Sequence, residues 1–336
     1  MDAKSGPSAG GAWPKDGGLY GALDLGTNNC RLLIAAPDAK GFAVVDAFSR
    51  IVRLGEGLSQ NGCLGDLAMA RTIEALRVCA NKLAWRKVAR RRLVATEACR
   101  MAANGAAFIA NVERETGLKL EIIARETEAQ LAAAGAEPLI DPLAPVSLVF
   151  DIGGGSTELM WLVREGTRHR IAAWTSLAAG VVTISEKFGG VEVSPQSFAA
   201  MRESVRPMLA AFHANVVALG GGTTAQLLGT SGTVTTIAGV QMGLRRYDRS
   251  RVDGCWLEAD AITEVTASLL AMSYDARAAN PCIGRERADL VLAGCAILEE
   301  IRATFPSSRI RVSDRGLREG ILSQMMREDG TYGRPT

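Results

Sequence analysis

Residues 150–160 read FDIGGGSTELM, and residues 22–32 read ALDLGTNNCRL. Each sets an Asp, one apolar residue, a Gly and several small residues between two apolar runs. The two aspartates, Asp24 and Asp151, lie 151 − 24 = 127 positions apart. A dinucleotide-binding turn also begins with glycines after a strand, but it runs directly into a helix. Here CRLLIAA and TELMWLV follow, short apolar runs of the kind that form strands. Each motif therefore predicts a β-hairpin whose tip exposes successive backbone N–H groups, an arrangement that binds phosphate oxygens. Gly26 opens the first tip, and Gly153, Gly154 and Gly155 are expected to leave the second unobstructed and to tolerate positive φ. Thr27, Asn28, Asn29, Ser156 and Thr157 can add side-chain donors. A third Gly/Thr segment, GTSGT at 229–233, reads as a turn before a helix and adds Ser231, Gly232 and Thr233. A carboxylate facing a phosphate would be repelled, so Asp24 and Asp151 make sense there only through a cation or a positioned water.

The surrounding sequence repeats its plan. After the first hairpin, GFAVVDAFSRIVRL reads as further strand. DLAMARTIEALRVCANKLAWRKVA has helical spacing, RLVATEA reads as strand, NGAAFIANVERETG as helix, LKLEIIA as strand, and ETEAQLAAAGAEPL as the start of another helix. IDPLAPV, with its two prolines, reads as a linker near residues 140–146. The pattern then restarts with SLVFDI and closes with the strand IRVSD and the helix GLREGILSQMMRE. The expectation is an α/β protein of two similar lobes, 19–140 and 146–329, with a ligand cleft between them. Residues 1–18 are rich in Gly, Ser, Ala and Pro and read as a disordered tail.

Composition narrows the function classes. The chain of 336 residues carries 38 Lys and Arg against 36 Asp and Glu, a balance without the basic excess of a nucleic-acid binder. The seven cysteines are scattered without a C-x-x-C pair, which argues against a disulfide framework or zinc site and favours the cytoplasm. No signal-peptide core or membrane span is evident. With only His169 and His213, both lacking catalytic neighbours, a Ser-His-Asp hydrolase is a poor fit. Of the basic runs, WRKVARRR at 85–92 reads as a helix end. RRYDRSR at 245–251 reads either as a solvated loop or as a track for a long polyanion.

Taken in order, ALDLGTNNCRLLI, VRLGEGL, ATEACRMAANG, FDIGGGSTEL, GTSGTVTTIA and SDRGLREGIL resemble the Ppx/GppA phosphatases, exopolyphosphatases and guanosine pentaphosphate phosphohydrolases. The resemblance runs from about Leu19 to Met326. It implies two ribonuclease-H-like lobes of the actin, sugar-kinase and heat-shock chaperone superfamily, with the two hairpins as phosphate loops facing one substrate. Longer members carry a C-terminal HD domain; this chain resembles the short two-domain form. IIARETEAQL matches the stretch that holds the catalytic Glu, which the resemblance assigns to Glu128. Thr127 and Ala124-Arg125 depart from the family pattern. From the residues alone, Glu126 and Glu128 are equivalent, since both suit a first helical turn. The resemblance further implies that Arg100 faces the phosphates and that Asp24, Asp151 and Glu158 lie near a Mg²⁺, directly or through water. Arg31 can pair with Asp24 or contact phosphate. The implied activity is Mg²⁺-dependent release of terminal orthophosphate from polyphosphate. Hydrolysis of pppGpp and a non-enzymatic ATP-binding switch are the alternatives, and the choice between monomer and homodimer is left open.

Overall fold

The computed structural model describes residues 18–166, 168–222 and 225–333. The expected N-terminal tail falls outside them apart from Gly18. Eleven strands are present among the described residues: β1 (Tyr20–Leu25), β2 (Asn29–Asp38), β3 (Gly41–Ile51), β4 (Arg90–Ala95), β5 (Glu121–Ile122), β6 (Val146–Ile152), β7 (Thr157–Glu165), β8 (Arg168–Leu177), β9 (Gln226–Thr230), β10 (Trp256–Glu258) and β11 (Arg309–Ser313). They form two mixed sheets, ordered β3-β2-β1-β4-β5 and β10-β11-β9-β6-β7-β8. Each begins with an antiparallel meander of three strands whose first member then pairs in parallel with a later strand. This is the repeated α/β plan expected from the sequence. β1 and β6 are central and covered on both faces, so YGALDL and VSLVFDI read as nearly continuous apolar runs.

The helices do not respect the boundary between the sheets. The helix Arg125–Ala136, before the linker, packs Ala129, Ala132, Ala133 and Ala136 against Val149, Met160, Leu162 and Leu228 of the second sheet. The C-terminal helix Leu317–Glu328 packs Leu317, Ile321, Leu322, Met325 and Met326 against Tyr20, Ala22, Leu33 and Val94 of the first. The two helices touch where glycines let their backbones meet. A Cβ on Gly320 would lie 1.9 Å from the Leu131 carbonyl oxygen, and one on Gly135 would lie 2.0 Å from that of Gly316.

Several local expectations change. β3 stops at Ile51 because the N–H groups of Val52 and Arg53 turn to the Asn28 carbonyl instead of a strand neighbour. LKLEIIA contributes only the short edge strand β5. Arg90–Arg92 begin β4, paired in parallel with β1, rather than ending a helix; the preceding helix stops at Trp85. No turn separates β9 from the helix Ser231–Gln241. Ser231 reverses the chain in one residue by taking φ 78°, a conformation usually left to glycine.

Candidate active site

The two quoted hairpins have the same internal geometry. Gly26 N–H donates to the Asn29 carbonyl at 2.9 Å, and Gly153 N–H to that of Ser156 at 2.9 Å. The amides of Thr27, Asn28, Gly154 and Gly155 find no protein acceptor among the described residues. The tips touch each other: a Cβ on Gly154 would lie 3.0 Å from Thr27 Cβ and 3.1 Å from Asn28 N, and one on Gly155 would lie 2.7 Å from Thr27 Oγ1. None of the three glycines at 153–155 has positive φ. The tolerance of positive φ is not used here; what these positions require is room for the opposing loop.

Each loop is braced from behind. Gly55 N–H donates to the Thr27 carbonyl at 2.9 Å, while Val181 and Val182 N–H donate to the carbonyls of Gly153 and Gly154 at 2.9 and 2.8 Å. The helix Ser231–Gln241 adds its N-terminus, with Ser231 Oγ donating to the Ile152 carbonyl at 2.8 Å.

These elements wall one cleft. Asp24, Gly26, Thr27, Asn28, Asn29, Arg31, Glu128, Asp151, Gly153, Gly154, Gly155, Ser156, Glu158, Ser231, Gly232 and Thr233 all line it. Glu126 is exposed outside it. Two expected members are absent from the lining. Thr157 is fully buried and donates its hydroxyl to the Ala179 carbonyl at 2.6 Å, so it locks the hairpin base. Arg100 is not among the lining residues. Its guanidinium donates to Glu128 at 2.9 Å, to Glu97 at 3.0 Å and to the Ile123 carbonyl at 2.5 Å.

Glu97, within ATEACRMAANG, has no role assigned by the sequence alone. It lines the cleft and also accepts from Arg125 at 3.1 Å. The E-x-x-R spacing to Arg100 was its available signal. Burial works against ionising Glu97, but hydrogen bonds from Arg125 and Arg100 hold its carboxyl below the ordinary range. Arg287, Arg315 and Arg318 also line the cleft and received no role from the sequence.

The carboxyls facing the loops behave oppositely to Glu97. Burial, with smaller repulsion from Asp151, pushes Asp24 up to about 6. Burial likewise raises Asp151. Glu158 is pushed up to about 7 by burial and by Asp151, although Ser156 and Ser176 donate to it at 2.7 and 2.8 Å. Burial and Glu158 raise Glu128 well above the ordinary range, against the pull of Arg100. The ladder explains part of this: Asp24 stands opposite Arg31 in the first hairpin, whereas Asp151 stands opposite Glu158 in the second. No salt bridge joins Asp24 and Arg31 among the described residues. Asn28 Oδ1 and Thr230 Oγ1 are buried without hydrogen-bond partners.

Two matched loops with free amides, facing across buried carboxyls and guanidinium groups, define an enzyme site built for phosphate esters or anhydrides. The chain belongs to the Ppx/GppA phosphatase family, whose profile matches residues 33–329, and is thus a phosphoanhydride hydrolase. It is 30% identical over 320 residues to Exopolyphosphatase 2 of Mycobacterium tuberculosis, covering 89% of this chain and 96% of that one. The crystal structure of the Aquifex aeolicus family member superposes with a TM-score of 0.76 at 27% identity, over 93% of this chain and 98% of that one. An exopolyphosphatase from Cytophaga hutchinsonii shares the fold with a TM-score of 0.84 at 23% identity, over 92% and 98% of the two chains.

Proposed function

We propose that the protein is an exopolyphosphatase that removes terminal orthophosphate from inorganic polyphosphate. The observation that carries the reading is the meeting of both hairpin tips beside Glu128 in one cleft. Unpaired amides from both halves can hold the terminal phosphoryl group, while Glu128 orients a water and takes its proton. The new bond runs from the water oxygen to the terminal phosphorus. The bridging P–O bond breaks, leaving orthophosphate and a chain shorter by one unit. Such transfers depend mainly on positioning and charge stabilisation. A carboxylate whose proton affinity is raised by burial and by Glu158 is the stronger acceptor for that proton. Arg100, bonded to Glu128, would hold it in place.

A divalent cation suits the site. Asp24 and Asp151 are half-buried, each carboxyl is raised, and Asp151 adds to the repulsion at Asp24. A cation between them would relieve that repulsion. Among the described residues, no three His, Cys, Asp or Glu side chains gather closely enough to enclose a metal. Mg²⁺ keeps several waters and binds through one or two carboxylates plus substrate oxygens, so it would not need such a cage. The ion would supply neutralisation of phosphate charge; Asp24 and Asp151 would hold it, with Glu158 behind them.

The test is phosphate release from polyphosphates, pppGpp and ATP, with and without Mg²⁺, by the unaltered protein, Glu128→Gln and Glu126→Gln. Polyphosphate should be the preferred substrate. Glu128→Gln should lose about 10²–10⁴ in turnover while retaining polyphosphate binding, and Glu126→Gln should stay active. Preference for pppGpp, stoichiometric ATP binding without turnover, or equal losses in the two variants would each refute a stated part of this reading.

A further inference from the structure

We propose that Arg318, at the start of the C-terminal helix, is a substrate-binding residue that grips the phosphate held between the two hairpins. The assignment rests on the polyphosphate reading above. It comes from charge accounting in the cleft. Glu97 and Glu128 are served by Arg100, and Glu97 also by Arg125. Arg315 is held by Asp253 at 2.9 Å. Arg31 and Arg287 line the cleft without a salt bridge among the described residues, Arg287 being exposed; Arg318 lines it with its side chain only 13% exposed and likewise makes no hydrogen bond among the described residues. Its nearest carboxylate oxygen, on Glu319, is 3.8 Å away. That carboxylate is already engaged by Arg249 at 2.8 Å and by the Gly316 amide at 3.0 Å.

A buried guanidinium without a hydrogen-bonded anion is costly unless a ligand completes it. Burial, reinforced by Arg31, lowers the proton affinity of Arg318, the response of a cation short of counter-charge. The amides of Leu317 and Arg318 likewise have no acceptor among the described residues and lie in the first turn of a helix of 12 residues. The guanidinium fork and these amides together offer donors to a tetrahedral oxyanion. The C-terminal helix packs on the first sheet, while Gly316 follows β11 of the second. Arg318 therefore brings a charge from a third element to the cleft that the two hairpins line.

A purely structural alternative is that Arg318 only offsets the half-buried aspartates. Arg318→Ala and Arg318→Lys separate the two, with tripolyphosphate as probe. If Arg318 grips phosphate, Arg318→Ala should raise KM about 10- to 100-fold with a smaller change in kcat, the loss expected for charge-assisted hydrogen bonds. Millimolar guanidinium should restore part of the lost turnover, and the rise in Tm caused by tripolyphosphate should shrink. Arg318→Lys should lie between, keeping the charge but losing the fork. The assignment is overturned if the variants bind tripolyphosphate as the unaltered protein does and only their ligand-free Tm falls. Should Arg318→Ala fail to fold, the KM of Arg318→Lys decides: an unchanged value counts against the proposal. Absence of tripolyphosphate binding by the unaltered protein would instead refute the polyphosphate reading, and this assignment with it.

Discussion

Asp24 and Glu158 hold their protons more tightly in the folded protein than an exposed carboxyl would, and the first cause in both is burial. The folded state therefore binds more protons than the unfolded chain at intermediate pH, and stability must fall as pH rises through that interval. For Asp24 the window runs from its ordinary 3.8 to about 6, and for Glu158 from 4.5 to about 7. Above it the loss is complete and the curve flattens. The Tm of the ligand-free protein should accordingly decline between about pH 4 and pH 7. Asp24→Asn and Glu158→Gln should each reduce the slope, and Mg²⁺ should reduce it in the unaltered protein if it binds the carboxylates. A profile that rises with pH in both variants and parent alike would show that these carboxyls are not the groups responsible.

The same cleft depends on the contact between two helices. Glu128 rides on the helix Arg125–Ala136, and the chain leading into Arg318 starts the helix Leu317–Glu328. Their separation is set by Gly135 and Gly320, where an added methyl would collide with backbone rather than with a yielding side chain. Gly320→Ala should therefore force the helices apart despite its better helix propensity. Overpacking of this kind costs about 1–3 kcal/mol, so Tm should fall, and turnover should fall with it because Glu128 shifts relative to the loops. An unchanged Tm would mean that the contact is loose. The sequence marks these glycines poorly, since a Gly inside a helix pattern reads as a weakness until the crossing partner is known. Gly154 shows the same limit: its freedom of φ goes unused, whereas its neighbours Thr27 and Asn28 explain it.

Across the whole molecule, the halves are joined by more than the hairpin tips. Arg53, at φ 47°, reaches Asp289 with two hydrogen bonds of 2.8 and 2.9 Å and the Glu286 carbonyl at 3.0 Å. Glu186 accepts from Gly57 N–H at 2.8 Å and Ser59 Oγ at 2.6 Å. Partly exposed ion pairs contribute about 0–1 kcal/mol each, so they bear on local opening more than on global stability. The double variant Arg53→Met, Glu186→Gln should keep its Tm within a few degrees while amide exchange rises at 52–59 and 181–190. Unaltered exchange there would show that the hairpin contact alone keeps the halves together. The tertiary structure also revises the suggested polyanion track: Arg249 is bound to Glu319 and Asp314, leaving Arg245, Arg246 and Arg251 as its exposed members.

By itself, the chain determined what short-range chemistry can encode. Apolar runs around Asp-Gly turns specify hairpins, the repeat of that pattern specifies two sheets of one plan, and the ordered motifs specify the family. Which side chains meet could not be read from order along the chain. Glu126 and Glu128 are alike in a first turn, but only Glu128 lines the cleft, because the helix carrying both packs onto the other half's sheet. The pair Glu97 and Arg100 was legible from its spacing on one helix, but the second partner, Glu128, lies on another helix 28 positions away. Arg318 lies far down the sequence, and only the C-terminal helix, returning to the first sheet, brings it into the cleft opposite loops encoded near residues 24 and 151. Such long-range proximity is set by the burial of apolar faces between distant segments, a property of the packed molecule rather than of any local stretch.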